Sequence, residues 1–169
     1  GRLHTDGLRV YYNAFAGLST WVMQAPVTGG DSARLECALR APQIVDILAG
    51  RNELLVVDAV RGYMPDPLWS LSTMGGNPRP VGNLEAAGAT WTADGQRIIY
   101  ARGNDVFEAR IDGSGSRRLL TAPAQVLLPR LSPDGRRVRF TIMGSAETAI
   151  WEAAGDGNAL HPLLPGWNA

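Results

Sequence analysis

The sequence holds two imidazoles, His4 and His161, and one thiol, Cys37, with which nucleophilic or metal chemistry could be built. A hydrolytic triad needs a base beside its nucleophile and an acid behind the base. The two histidines stand at opposite ends of the 169 residues, so such a set would have to be assembled across the whole molecule. The G-x-S-x-G elbow that presents a hydrolase serine is absent, since Gly17-Leu18-Ser19-Thr20 fails at its last position. No His or Cys pair has metal-ligand spacing. Asp112-Gly113-Ser114-Gly115-Ser116 is similar to the start of a calcium loop, but it lacks the glycine at position six and the later bidentate glutamate. The same run is not followed by a helix opening, so it does not read as a phosphate loop either. The expectation is a chain without catalytic residues, without a metal site and without a cofactor.

Charge narrows the partners. Sixteen basic residues balance sixteen acidic ones, and no global field favours nucleic acid or an anionic membrane. Every basic residue is arginine, which reads as codon bias. The densest group, Arg130, Arg136, Arg137 and Arg139, reads first as a solvated strand face and second as an anion-binding patch. Apolar runs such as Leu54-Leu55-Val56-Val57 are far too short to span a bilayer. Cys37 has no partner for an intrachain disulfide. The opening Gly1-Arg2-Leu3, with no initiator methionine or signal peptide, is expected to belong to a fragment of something longer.

The elements that would position any site come from repetition. Asp-Gly-x-Arg-apolar-x-aromatic occurs as Asp6-Gly7 through Tyr12, Asp94-Gly95 through Tyr100, and Asp134-Gly135 through Phe140. Gly50 through Val56 is a worn copy in the slot between the first two. A second pattern places an apolar pair, a glycine six residues on and an aliphatic six further. It runs through Val22-Met23, Gly29 and Leu35; Leu68-Trp69, Gly75 and Val81; Val106-Phe107, Gly113 and Leu119; and Ile150-Trp151, Gly157 and Leu163. Asp-Gly between short β-branched and aromatic runs supplies the positive φ angles of hairpin turns. Asp112-Gly113 and Asp156-Gly157 have the same chemistry.

Four-stranded units of about 40–45 residues describe propeller blades. The chain therefore reads as all-β, a β-propeller of four-stranded antiparallel blades with four present (1–39, 40–85, 86–124 and 125–169). They are expected to form an open arc of a ring of six or more. Met23, Trp69, Phe107 and Trp151 are expected to fill the space between blades, with Met23 and Trp151 marking the two uncovered end faces. The repeated turns build one uniform face. The opposite face carries loops of unequal length, and scaffolds of this kind usually bind there. Asn13, Asp58, Arg61, Tyr63, Asp66, Glu85, Arg102 and Asn104 are its candidate binding residues. The longest loop, Asp58 to Asp66, has the aromatic, arginine and methionine content of interfaces.

Leu131-Ser132-Pro133-Asp134-Gly135 and Trp91-Thr92-Ala93-Asp94-Gly95 resemble the blade starts of TolB-like propellers. Ile150-Trp151-Glu152 with Asp156-Gly157 resembles the second half of such a blade. At greater detail the chain resembles the propeller that follows winged-helix domains in acidobacterial CadC-type transcriptional regulators. The points of likeness are Asp6 through Tyr12, Leu68-Trp69-Ser70-Leu71 with Gly75-Gly76, and His161 through Asn168. That resemblance implies a protein-interaction or ligand-sensing module of a larger regulatory protein. Its partners would be a protein or small ligand on the variable-loop face and further blades of the same parent chain. It implies no direct DNA binding, because the winged helix is not in this sequence, and it favours the periplasm over the cytoplasm. The same blades also resemble the gating propellers of serine peptidases and Tol-system scaffolds, which are the alternatives.

Overall fold

A computed structural model of the chain describes residues 2–17, 19–61, 64–144 and 148–163. Among the described residues sixteen strands form four separate antiparallel sheets, each in simple sequence order. The first holds β1 (Leu3–Thr5), β2 (Arg9–Ala16), β3 (Ser19–Pro26) and β4 (Ala33–Leu35). The second holds β5 (Pro42–Leu48), β6 (Glu53–Asp58), β7 (Asp66–Ser72) and β8 (Arg79–Ala86). β9 (Gly88–Trp91), β10 (Arg97–Arg102), β11 (Asp105–Arg110) and β12 (Arg117–Thr121) make the third. β13 (Gln125–Leu131), β14 (Arg137–Met143), β15 (Thr148–Ala154) and β16 (His161–Pro162) make the fourth. The one helical element among the described residues is a 3-10 turn, Ala49–Arg51.

The turns work differently from a two-residue hairpin. At each Asp-Gly the positive φ belongs to the glycine alone, as at Gly95 and Gly135. The aspartate acts through its side chain. Asp94 Oδ1 accepts from Thr92 Oγ1 (2.6 Å) and from the Gln96 amide (3.0 Å), while Thr92 Oγ1 accepts from the Arg97 amide (3.0 Å). Ser132, Asp134, Arg136 and Arg137 repeat the arrangement. In the worn second copy Asn52 takes the left-handed conformation, φ 53°, which asparagine tolerates better than most residues.

Three apolar seams join neighbouring sheets. Tyr11, Val22 and Leu35 meet Ile44, Leu54, Val56 and Leu71 between the first two. Leu55, Leu68 and Val81 meet Trp91, Ile98 and Tyr100 between the second and third. Ile99, Val106 and Leu120 meet Val126, Val138 and Phe140 between the third and fourth. No buried apolar cluster among the described residues joins the fourth sheet to the first.

The repeat columns thus have direction. Val22, Leu68 and Val106 face the following sheet and are all but inaccessible. Phe107 and Trp151, one position on, pack against the seam toward the preceding sheet and are only half-buried. Trp151 therefore faces the third sheet, and it does not mark the free face of the fourth. Ile150, the counterpart of Val22, holds that place and is half-buried where its counterparts are covered. Met23 does lie on the free side of the first sheet, with Tyr12 opposite it and Leu3 beside that tyrosine. Strand alternation demands this, because adjacent residues of a strand point to opposite faces.

Candidate functional site

On the variable-loop face most of the expected binding residues hold the scaffold together. Asp58 Oδ1 accepts the Ala41 amide at 2.7 Å, which ties the incoming linker to the end of β6. Asp66 is fully buried and holds the loop before β7, taking the Arg61 amide at 3.1 Å and the Arg61 Nε at 2.8 Å. The far end of the Arg61 guanidinium reaches Glu85 at 3.0 Å. These contacts keep Arg61 firmly charged, the hydrogen bond to Asp66 weighing most. Tyr63 lies outside the described residues. Arg102 lies over the Phe107 ring at 4.8 Å, and Asn104 follows it in a tight turn whose Gly103 has φ +59°. Carbonyls of Gly103 and Asn104 accept the amides of Val126 and Ala122, fastening that turn to the linker into the fourth sheet. Asn13 clamps the first sheet to the second: its amide donates to the Pro42 carbonyl (2.7 Å), and its Oδ1 accepts the Ile44 amide (2.9 Å).

The longer spacing in the first repeat lengthens the β2–β3 hairpin, which pairs out to Ala16 and Ser19, and does not make a longer loop. That extension carries Phe15 outward, 60 % exposed. In the second repeat the extra residues fall between the end of β6 at Asp58 and the start of β7 at Asp66, where Met64 is 59 % exposed. Phe15 and Met64 stand over a cleft of about 310 Å³. Its floor is Ile44, Val45 and Val57; Leu128 of the fourth sheet and Ala87, between β8 and β9, close it, and Arg2 and Gln43 supply polar groups. The cleft thus draws on the first, second and fourth sheets and the linker into the third, and of the expected residues Asn13 alone lines it.

Leu128 sits in a bulge of β13 with φ +60°, a conformation leucine rarely adopts. Gly88 accommodates it, since a Cβ there would lie 3.0 Å from the Leu128 amide nitrogen. Backbone strain of this kind persists where surrounding contacts enforce it, and it gathers at binding sites. Sequence reasoning missed Phe15 and Leu128, and reached Met64 only as part of the methionine content of the Asp58 to Asp66 loop. The exposed aromatic and methionine were visible as types, but the bulge has no signature in this chain.

Beneath the cleft the inner strands are joined by polar contacts. Asp46 of β5 accepts Thr90 Oγ1 at 2.7 Å and the Trp91 amide at 2.8 Å, bridging to β9. His4 of β1 is buried, and its Nε2 has no partner. Burial, reinforced by the positive charge of Arg130, pushes its pKa down to about 4. His4 is thus neutral at pH 7. His161 lies on the exposed β16, its Nδ1 2.8 Å from the Ala159 carbonyl. Burial pushes the Cys37 thiol up, away from the thiolate that reactivity needs. Asp112 Oδ1 accepts the Ser114 amide at 2.8 Å, which is turn chemistry. Among the described residues no three His, Cys, Asp or Glu side chains converge as a metal site would require. No helix among them is long and apolar enough to cross a membrane.

The fold is that of β-propeller blades, and solved TolB propellers superpose on it. A TolB protein from Agrobacterium tumefaciens superposes with a TM-score of 0.78 at 16 % identity, over 94 % of this chain and 62 % of that one. TolB from Acinetobacter baumannii gives 0.76 at 13 % identity, over 95 % and 41 %. A chain of the nidogen/laminin complex gives 0.67 at 14 % identity, over 95 % and 62 %. The chain thus spans about two fifths to three fifths of the length of these structures. No family model matches the sequence, and no curated protein is detectably similar to it. At such identities the likeness establishes the fold, and function must come from the site.

Proposed function

We propose that this chain is a non-catalytic protein-interaction module that takes an apolar segment of its partner into the cleft at the mouth of the propeller. The observation that carries this reading is the pairing of two exposed large side chains, Phe15 and Met64, over an otherwise formed apolar cleft. Exposed aromatic and methionine residues beside a concavity are anchors of interfaces, because an aromatic ring buries much area with few rotatable bonds and a methionine adapts to irregular apolar partners. The rigid inner strands, tied by Asn13 and Asp46, would present that cleft without reorganisation.

The resemblance to CadC-type regulators supports a regulatory parent whose propeller senses a partner outside the cytoplasm, with further blades completing the ring. A Tol-like periplasmic scaffold is the second reading, and it draws on the TolB neighbours. To test the cleft, random nonapeptides displayed on phage would be selected against the 169-residue chain, and enriched peptides re-measured against Phe15→Ser and Met64→Ser. Apolar or aromatic peptides whose affinity drops at least tenfold in both variants are expected. Peptides that bind both variants as well as the parent would refute the assignment.

A further inference from the structure

The second sheet departs from the third and fourth at one place. Leu55, Ile99 and Arg139 share a position in their repeats, and opposite them the third strand carries Ser70, Glu108 and Glu152. Glu108 is held by Arg97 and Arg117, and Glu152 by Arg137 and Arg139. The short Ser70 leaves the corresponding space open. Glu53 stands where the third and fourth sheets have Arg97 and Arg137, and Arg79, cross-strand to Ser70 as Arg117 is to Glu108, pairs with it. Beside Ser70 lies a cavity of about 260 Å³, at the turn end of the seam between the second and third sheets. Its charges balance, with Arg51 and Arg79 against Glu53 and Asp112. Trp91 and Val81 give it apolar wall. Trp91 is 6 % exposed, and its indole Nε1 finds no partner among the described residues.

We propose that this cavity binds a single neutral pyranose ring. An even balance of charge favours no net charge on the ligand, and the polar groups keep capacity for hydroxyls. Glu53 accepts both the Ser70 hydroxyl (3.1 Å) and the Arg79 guanidinium on Oε1, and a carboxylate has about four lone-pair sites. Arg79 offers five N–H donors and meets Glu53 through Nη2. A hydroxyl donates and accepts at once, so neighbouring ring hydroxyls satisfy carboxylate and guanidinium without parting them. A carboxylate or ammonium ligand must compete with that pair. The indole N–H is a donor only, and a buried donor calls for an acceptor, which a sugar oxygen supplies. The C–H face of the ring packs against Val81 and Trp91. The volume is below the roughly 300–1,000 Å³ of pockets for drug-sized ligands, so it takes one ring. Both sheets of this seam are present in the chain, and the site lies at the opposite end of the strands from the apolar cleft and does not depend on its reading.

The test is a ¹H–¹⁵N chemical-shift titration of the 169-residue chain with D-glucose, D-galactose, D-mannose and their methyl glycosides. At least one sugar should give saturable shifts of the Trp91 indole N–H and the Ser70 and Val81 amides. A methyl glycoside that binds assigns the site to the terminal residue of a glycan; binding of the reducing sugars alone assigns it to free monosaccharide. Glu53→Arg/Ser70→Glu copies the arrangement of the third sheet into the second, filling the space with a set the fold already uses, and should weaken binding at least tenfold. Trp91→Phe keeps a ring on the wall and removes the N–H, and should weaken it about fivefold; this variant decides the matter if the first does not fold. Arg97→Gln, which alters the pair on Glu108, should change nothing. No saturable shift with any sugar, unchanged binding in the double or the Trp91 variant, or an equal loss in Arg97→Gln overturns the proposal. So do shifts at the same amides with glycine or acetate and none with the sugars, which would assign the cavity to a charged ligand.

Discussion

Gly113 and Gly29 occupy the same place in their repeats, with φ +82° and +89°, yet they should respond very differently to alanine. Each substitution forces a Cβ into the left-handed region, at about 1–2 kcal/mol. At Gly29 nothing lies within 4 Å of that Cβ, so this cost is the whole effect. At Gly113 the Cβ would stand 2.7 Å from the Val81 carbonyl oxygen and 2.9 Å from the Gly82 Cα, both backbone atoms of the neighbouring second sheet. Backbone cannot rotate aside as a side chain can. The seam must open slightly, and strain of this sort costs about a further 1–3 kcal/mol. Gly157 is closed in the same way by the Leu119 backbone. Equilibrium urea denaturation followed by circular dichroism measures the difference, provided the m-values agree. Gly113→Ala should lose about 2–5 kcal/mol and Gly29→Ala about 1–2. Losses that agree within about 0.5 kcal/mol would refute the claim that this glycine column serves sheet-to-sheet approach as well as turn conformation.

Three further outcomes follow from the contacts described. His4 has a folded pKa depressed below its ordinary 6.5, so the unfolded chain takes up protons first as pH falls. The melting temperature should therefore decline between pH 6.5 and about 4, and His4→Gln should flatten that decline; parallel curves would refute it. The carboxylates at the turns, held low chiefly by hydrogen bonds to Thr92 and Ser132, lose their contribution only at lower pH, so the two windows are separate. Asp66→Ala should cost about 1–3 kcal/mol in denaturation, because the Arg61 amide loses its acceptor and the loop its fastening. Sedimentation at micromolar concentration should show self-association through the apolar face of the first sheet, reduced by Tyr12→Glu/Met23→Glu; a monodisperse monomer in both would contradict it.

The hairpins and their glycines were legible because turn chemistry is local: Asp, Gly and their spacing determine it within a few residues. The pairing of Ser or Thr with Asp at Thr92–Asp94 and Ser132–Asp134 was equally present in the sequence, but its meaning lies in side-chain hydrogen bonds that a φ-based reading ignores. Sheet direction was harder. Trp151 and Ile150 are neighbours, and only the seam on which each packs tells which one faces outward. Arg61 and Asp66 look like interface residues by type, yet a fully buried aspartate that holds a loop recruits the same types. The cleft itself depends on the bulge at Leu128 and on parts of three sheets, which no local pattern encodes.

The most direct measurement of the central claim is a backbone amide chemical-shift map of the 169-residue chain titrated with a selected apolar peptide. The cleft predicts the largest shifts at Asn13, Gln43, Val45, Ala87 and Leu128, with the turns at Gly29, Gly113 and Gly157 unmoved. Shifts centred on those glycine turns, or spread over the end faces with the cleft amides silent, would contradict it.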